Sequence, residues 1–267
     1  HLRLSQRTHY VITNGGDQPN VVPRNASVWY YFRETDYDSI RNMWDIGDKM
    51  AQGAALMTNT SWTSRLLGSA WPRHTNRTLA ETMHANIQTV GLPKWSEADI
   101  ALAKATQRVM KVPEIGLAAG PIGPLRGRES IPDDEKFGGP SDDVGDITWT
   151  VPTVVLGYPA NFQAGPGHNW ANAIPMATPI AHKGVNAGAR VTALTALDLV
   201  MRPELVQSAH DYFENVQLKQ RTYTPFLRPT DQPAIWMNKA TMDRYRPQMT
   251  KFYFDRTKYK TYMDQMK

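Results

Sequence analysis

Residues 146–201 read DITWTVPTVVLGYPANFQAGPGHNWANAIPMATPIAHKGVNAGARVTALTALDLVM, and the order of patterns within them decides the fold class. The opening DITWTVPTVVLGYP is β-branched and apolar with Pro and Gly as punctuation, which predicts a buried strand pair. A turn-rich segment, GPGHNWANA, follows it. From Pro179 to Met201 the spacing predicts a helix with small residues on one side and Val191, Leu194, Leu197 and Val200 on another. A helix of that kind packs closely onto a sheet, so strand, loop and helix in this order predict an α/β fold.

Upstream, RTHYVIT (7–13) and ASVWYYFRE (26–34) predict two strands joined by the wide loop NGGDQPN. Asp36 is a candidate N-cap for a helix reaching about Ala54, with Ile40, Met43, Trp44, Ile46 and Met50 at helical spacing. A third strand is expected from about Leu56 to Leu66, which makes the small unit a β-β-α-β layer ending near Ala70. Beyond it, helices are expected over 75–89, from Ser96 to Met110 and over 203–217. The Gly- and Pro-rich stretch 112–140 reads as a long loop, and long loops in compact domains tend to be functional. With His1 first and strand-like sequence close behind, the chain reads as starting mid-protein.

The 267 residues are 41% hydrophobic and 21% charged, which supports a packed core in one or two domains. The formal net charge is +5, spread thinly. Its densest cluster, Lys251 to Lys260, also carries Asp255 and interleaved tyrosines and reads as a solvated face, so no nucleic-acid partner is expected. The absence of cysteine excludes a disulfide framework, a thiolate zinc site, an iron–sulfur cluster and a cysteine nucleophile. A mean hydropathy of −0.50 and the lack of a long apolar run argue against a membrane span, and no signal-peptide pattern is read. The compartment stays open between cytoplasm and periplasm.

Three patches carry chemistry. None of the 7 histidines forms a close metal-binding pair. His168, between Gly167 and Asn169 just past the expected buried strands, stands where loops carry active-site groups. It reads either as a metal ligand or as a histidine whose ring is satisfied by backbone in a tight loop. GGPSDDVGD (138–146) sets two glycines before three carboxylates. It either offers backbone N–H groups to an anion and a carboxylate to an amine or metal, or is a solvated Asp-rich turn. Asn20 and Arg33 either face an anionic ligand, Arg33 bidentately, or are a turn former and a surface charge. No G-x-S-x-G elbow is present, so serine-hydrolase chemistry is not indicated.

HYVITNGGDQPNVVP, VWYYFRE, GGPSDDVGDITWTVPTV, GHNWANAIPMATPIAHKG and TALDLVMRPELV, in this order over nearly the whole chain, resemble the C-terminal part of the co-catalytic zinc amidohydrolase and metallopeptidase family. That family contains aminoacylases, glutamate carboxypeptidases and amino-acid-conjugate hydrolases. The resemblance implies a zinc-peptidase-like α/β catalytic domain interrupted by a small α+β lid that also mediates dimerisation. Residues 1–70 would be the latter part of the lid and 71–267 the C-terminal half of the catalytic domain. By the same resemblance His168 is the last His ligand, and Asn20 and Arg33 bind the substrate carboxylate. The resemblance also matches Gly139, Ser141 and Asp142 to a glycine-rich loop that lines the substrate pocket, with the doubled Asp and Asp146 as features of a subgroup. No catalytic residue is implied in this chain, because the general base and most ligands belong to the family's first half.

The implied cofactor is two divalent metal ions, zinc first with manganese or cobalt as alternatives, held mostly by residues outside this chain. The implied reaction is zinc-dependent cleavage, of carboxypeptidase or aminoacylase type, of the amide bond in N-acyl or N-aroyl amino acids or small peptides with a free carboxylate. A second copy of the chain, joined through the lid, is the implied macromolecular partner. The alternative is a non-catalytic remnant, or a dimerisation or carboxylate-binding subunit.

Overall fold

In the computed structural model, residues 3, 5–118, 120–127, 130 and 141–265 are described. The sheet among them is a two-stranded antiparallel hairpin of β1 (Arg7–Asn14) and β2 (Ser27–Arg33). Arg7 stands opposite Arg33 and Ile12 opposite Val28, with an irregularity before Asn14 meets Ser27. Cross-strand Tyr10 and Tyr30 stack with ring centroids 5.5 Å apart, the kind of pair that stabilises a ladder. Tyr10 is 66% exposed and Val11 51%, and successive strand residues point to opposite faces, so neither face of this end is covered.

Helix α1 (Tyr37–Thr58) follows, started as expected by Asp36, whose carboxylate accepts from the Ser39 amide at 2.8 Å. It lies on the hairpin at Gly47, where an added Cβ would fall 2.4 Å from the Phe32 ring. The expected third strand over 56–66 is not formed. Helix α1 runs on to Thr58, Asn59 ends it in the left-handed conformation, and 60–76 carry no regular element.

The chain packs as two compact units. One gathers 1–74, 126–151 and 217–233, and the other gathers 75–125, 152–216 and 234–267. The segment expected as lid, 1–70, lies within the first. That unit is centred on Trp71, which is 3% exposed and packs against Tyr37 at 4.5 Å, Tyr223 at 5.1 Å and Trp149 at 5.2 Å. The Trp71 amide donates to Asp146 at 3.1 Å, and its indole N–H to the Thr224 carbonyl at 2.9 Å. A short helical turn over Val144–Ile147 presses Gly145 against Trp71 so tightly that a Cβ there would sit 1.8 Å from the Trp71 carbonyl oxygen. Tyr223 also donates to Asp146, at 2.9 Å, and burial followed by that bond pushes its phenol up to about 12.

The second unit holds α2 (Arg77–Val90), α3 (Glu97–Val109), α4 (Pro179–Met201) and α5 (Pro203–Tyr212), and a π-helical turn, Phe213–Gln217, follows α5 in the chain. Its core joins Ala103, Phe162, Ala164, Ala171 and Ile180. The run 146–159, expected as a buried strand pair, has no ladder partner among the described residues, and within this unit lie its residues 152–159. They pack instead on the small-residue face of α4, where a Cβ on Gly184 would lie 2.2 Å from the Pro159 carbonyl oxygen. Leu197 and Val200, on the expected apolar face of α4, are exposed. Ser96 and Asp99 form a capping box at the start of α3. The Lys183 ammonium also donates to Asp99 and holds its carboxyl below the usual carboxylate range. Among the described residues no helix is long and apolar enough to cross a membrane.

Gly145→Ala should cost on the order of 3 kcal/mol or more by denaturant unfolding, because the Trp71 carbonyl is backbone and cannot swing aside. Lys183→Met should lower stability at neutral pH by about 1 kcal/mol, since Lys183 is partly solvated. Because the folded pKa of Asp99 is depressed, the pair's stabilisation is present above about pH 4 and is lost as pH falls through the folded value. The gap between variant and parent melting temperatures should therefore close on acidification, and a constant gap would remove Asp99 as its source.

Candidate functional site

His168 sits in the loop between the core residues Ala164 and Ala171, both fully buried. It takes φ +58°, the left-handed region that non-glycine residues seldom enter, and only Asn59 and Lys111 share it among the described non-glycine residues. The ring is exposed and has no hydrogen-bond partner among the described residues. Of its two sequence readings, the histidine satisfied by backbone groups is therefore not what the fold shows. Backbone strain of about 1–3 kcal/mol that holds out a free imidazole is common at functional sites.

The loop's shape comes from side chains on both sides of it. Asn169 caps the 3-10 turn Trp170–Ala173 through its Oδ1, which accepts from the Ala171 amide at 2.9 Å. Asn172 reaches back to the start of the loop, where its Oδ1 accepts from the Ala164 and Gly165 amides at 3.1 Å each. One step earlier, Gln107 of α3, fully buried, donates from Nε2 to the Gln163 carbonyl at 3.1 Å and accepts from the Gly116 amide at 2.8 Å. Sequence reasoning does not single out these three amides. Asn169 and Asn172 stand inside the turn-rich GHNWANA, but only closure of the loop reveals what they hold.

In the other unit, the hairpin register puts Arg33 at the end of the ladder away from the connection that carries Asn20. At a rise of about 3.3 Å per residue, β2 from Ser27 to Arg33 is roughly 20 Å long. The ladder therefore does not bring Asn20 and Arg33 together, whereas it sets Arg7 directly opposite Arg33. The Arg33 guanidinium lies 5.8 Å from the centroid of the Tyr31 ring. Neither arginine has a carboxylate partner among the described residues. Two facing cations without a counterion repel one another unless an anion joins them, so Arg7 enters a candidate set that the sequence alone does not give it.

The carboxylate cluster divides on structural duties. Asp142 pairs with Arg73 and is half-buried, leaving its Oδ1 without a hydrogen bond, and Asp146 is committed to Trp71 and Tyr223. Ser141 is exposed, and Gly139 lies outside the described residues. No group of three His, Asp or Glu side chains able to hold a metal occurs among the described residues. A free imidazole on an exposed loop fits as one ligand of a metal centre whose remaining ligands come from elsewhere.

No protein-family model matches the chain. In a match 244 residues long that covers 84% of the chain, it is 30% identical to one of the subunits of the p-aminobenzoyl-glutamate hydrolase of Escherichia coli (strain K12). The chain is a relative of this hydrolase subunit. The resemblance to amidohydrolases read from the sequence is thereby borne out, and the chain spans about half of the relative's length, 51%.

His168→Gly should raise the melting temperature, because glycine enters the left-handed region freely while the ring has no described contact to lose. The expected gain is up to about 1 kcal/mol, the left-handed penalty less the extra backbone freedom of glycine. A clear loss of stability would mean that the ring is held for packing.

Proposed function

We propose that this chain is part of a metal-dependent amidohydrolase that cleaves the amide bond of an N-acyl or N-aroyl amino acid, or of a small peptide, with a free carboxylate. An aminobenzoyl-glutamate-like compound is the model substrate. The observation that carries this reading is the 30% identity, over most of the chain, to a p-aminobenzoyl-glutamate hydrolase subunit. The strained, uncommitted His168 supports it from an independent direction. In this reading His168 contributes one ligand to a pair of divalent ions, zinc in the first instance, whose other ligands lie outside this chain. When bound, such ions polarise the scissile carbonyl and make water nucleophilic near neutral pH.

The rest is done by the chain's own groups. Arg33, with Arg7 across the ladder, supplies a planar guanidinium that grips a carboxylate through two parallel hydrogen bonds. Asn20, at the far end of the hairpin, offers an amide to a second molecule's substrate rather than to the same carboxylate. Ser141, exposed beside the Arg73–Asp142 pair, offers a hydroxyl. The uncovered hairpin supplies the face through which two copies would join. A carboxylate-binding or dimerisation subunit without catalysis of its own is the second reading, favoured by the lack of any metal-holding trio among the described residues.

The test uses the complete enzyme, with metal content and steady-state kinetics measured on the same preparations. Arg33→Ala should raise KM for an N-aroyl glutamate at least about tenfold, in keeping with roughly 1.5–3 kcal/mol for a hydrogen bond to a charged group. His168→Ala should lower bound metal per chain. An unchanged KM with full metal occupancy in the two variants would sink the amidohydrolase reading of these residues. Carboxylate binding without turnover in the parent would favour the second.

A further inference from the structure

We propose that Asn172 is the positioning residue that fixes the reach of His168, a reading that rests on His168 acting as a metal ligand. Each atom of the Asn172 amide has a partner in the loop. Its Oδ1 accepts from two consecutive backbone amides, Ala164 and Gly165, at 3.1 Å each, and its Nδ2 donates to the Pro166 carbonyl at 2.7 Å. Three of the four hydrogen bonds available to an asparagine side chain are thus spent on the first three residues of the loop that carries His168. The Asn172 backbone N–H also donates to the Asn169 carbonyl at 3.1 Å, so one residue closes the loop from both ends.

Closure leaves little freedom between its ends. Ala164 and Ala171 are anchored in the core, and Gly165 is so close to Asn169 that an added Cβ would lie 3.2 Å from the Asn169 Oδ1 and from the Ala171 Cβ. Pro166 has a fixed φ of its own. Gly167 and His168 are left to make the turn, and His168 takes the left-handed φ. Since the ring has no described hydrogen bond to steer it, its direction is inherited from the backbone, and the backbone is held by Asn172. Metal ligands need placement to within about 0.5 Å, which a loop without regular structure obtains only from such side-chain clamps.

Asn172 is half-buried, so water can replace its bonds to the Ala164 and Gly165 amides when the side chain is truncated. A positioning role is therefore separable from a folding role. The experiment takes the complete enzyme, stripped of metal and titrated with Co2+, whose visible absorption reports the number and geometry of its ligands. Thermal unfolding of the metal-free protein is followed alongside. Asn172→Ala should bind cobalt about 10–100-fold more weakly, with an altered spectrum, and with a metal-free melting temperature close to the parent's. Asn172→Asp keeps the two acceptor bonds and loses the donor to Pro166, so it should fall between parent and alanine variant. His168→Ala, run beside them, should lose the ion.

If His168→Ala loses the ion while both Asn172 variants keep parental affinity and spectrum, the positioning role is overturned and the ligand reading survives. If His168→Ala binds cobalt as the parent does, the ligand reading fails and takes this inference with it. Should Asn172→Ala not fold, Asn172→Asp decides alone, and parental affinity and spectrum in that variant overturn the proposal.

Discussion

The constraint on which the structure depends is that buried backbone N–H and C=O groups need partners, and in most of this chain no sheet provides them. The hairpin is the sheet among the described residues, and it lies at the exposed beginning of the first unit. Elsewhere among the described residues, several non-helical segments are met by side chains. Gln107 serves two segments at once, Asn76 donates to the Ala209 carbonyl at 2.9 Å, and the Trp149 indole donates to the Pro72 carbonyl at 2.8 Å. Each such bond contributes a net of roughly 0.5–1.5 kcal/mol, and leaving its backbone partner bare costs more. The large buried amides and indoles thus do for these segments what a ladder does for a strand.

The same device shapes the candidate site. A histidine on an irregular loop would wander unless the loop were tied, and the ties come from α3 through Gln107 and from the loop's own far end through Asn172. The charged groups follow a different rule. Asp99, Asp142 and Asp146 are each committed to a partner that secures a helix start or a close approach, whereas Arg7, Arg33 and the His168 ring are left uncommitted. Committed charges hold the fold, and uncommitted ones are available to a ligand.

How far the sequence can be read depends on the range of each interaction. Helix starts at Asp36 and Ser96 are legible because a cap and its partner stand three residues apart. The course of α4 is legible from Pro179 and the spacing of its small residues. The strands expected over 56–66 and 146–159 are not formed, since a β-branched run shows that a segment suits a ladder but not that a neighbour is present to pair with it. At the site, Gly167-His168-Asn169 advertises an unusual turn. The role of Asn172 stays hidden, because its partners are backbone amides seven and eight residues back. Arg7 escapes notice for a similar reason, as only the register shows what stands opposite Arg33. The Asp-rich loop reads as one cluster until Arg73 and Trp71, about 70 positions earlier, claim its members separately.

The way the first unit is assembled also bears on how the molecule is made. Its three segments, 1–74, 126–151 and 217–233, are separated in the chain by pieces of the other unit, and the Trp71 cluster draws on all three through Tyr37, Trp149 and Tyr223. During synthesis Trp71 emerges long before Tyr223, so its ring must wait, solvated or held by temporary neighbours, until some 150 further residues have left the ribosome. Contacts of such long sequence separation form late and slowly. The N-terminal segment is thus not a module that can be cut out at its own end and expected to stand. Its aromatic contacts are complete only once 217–233 are in place.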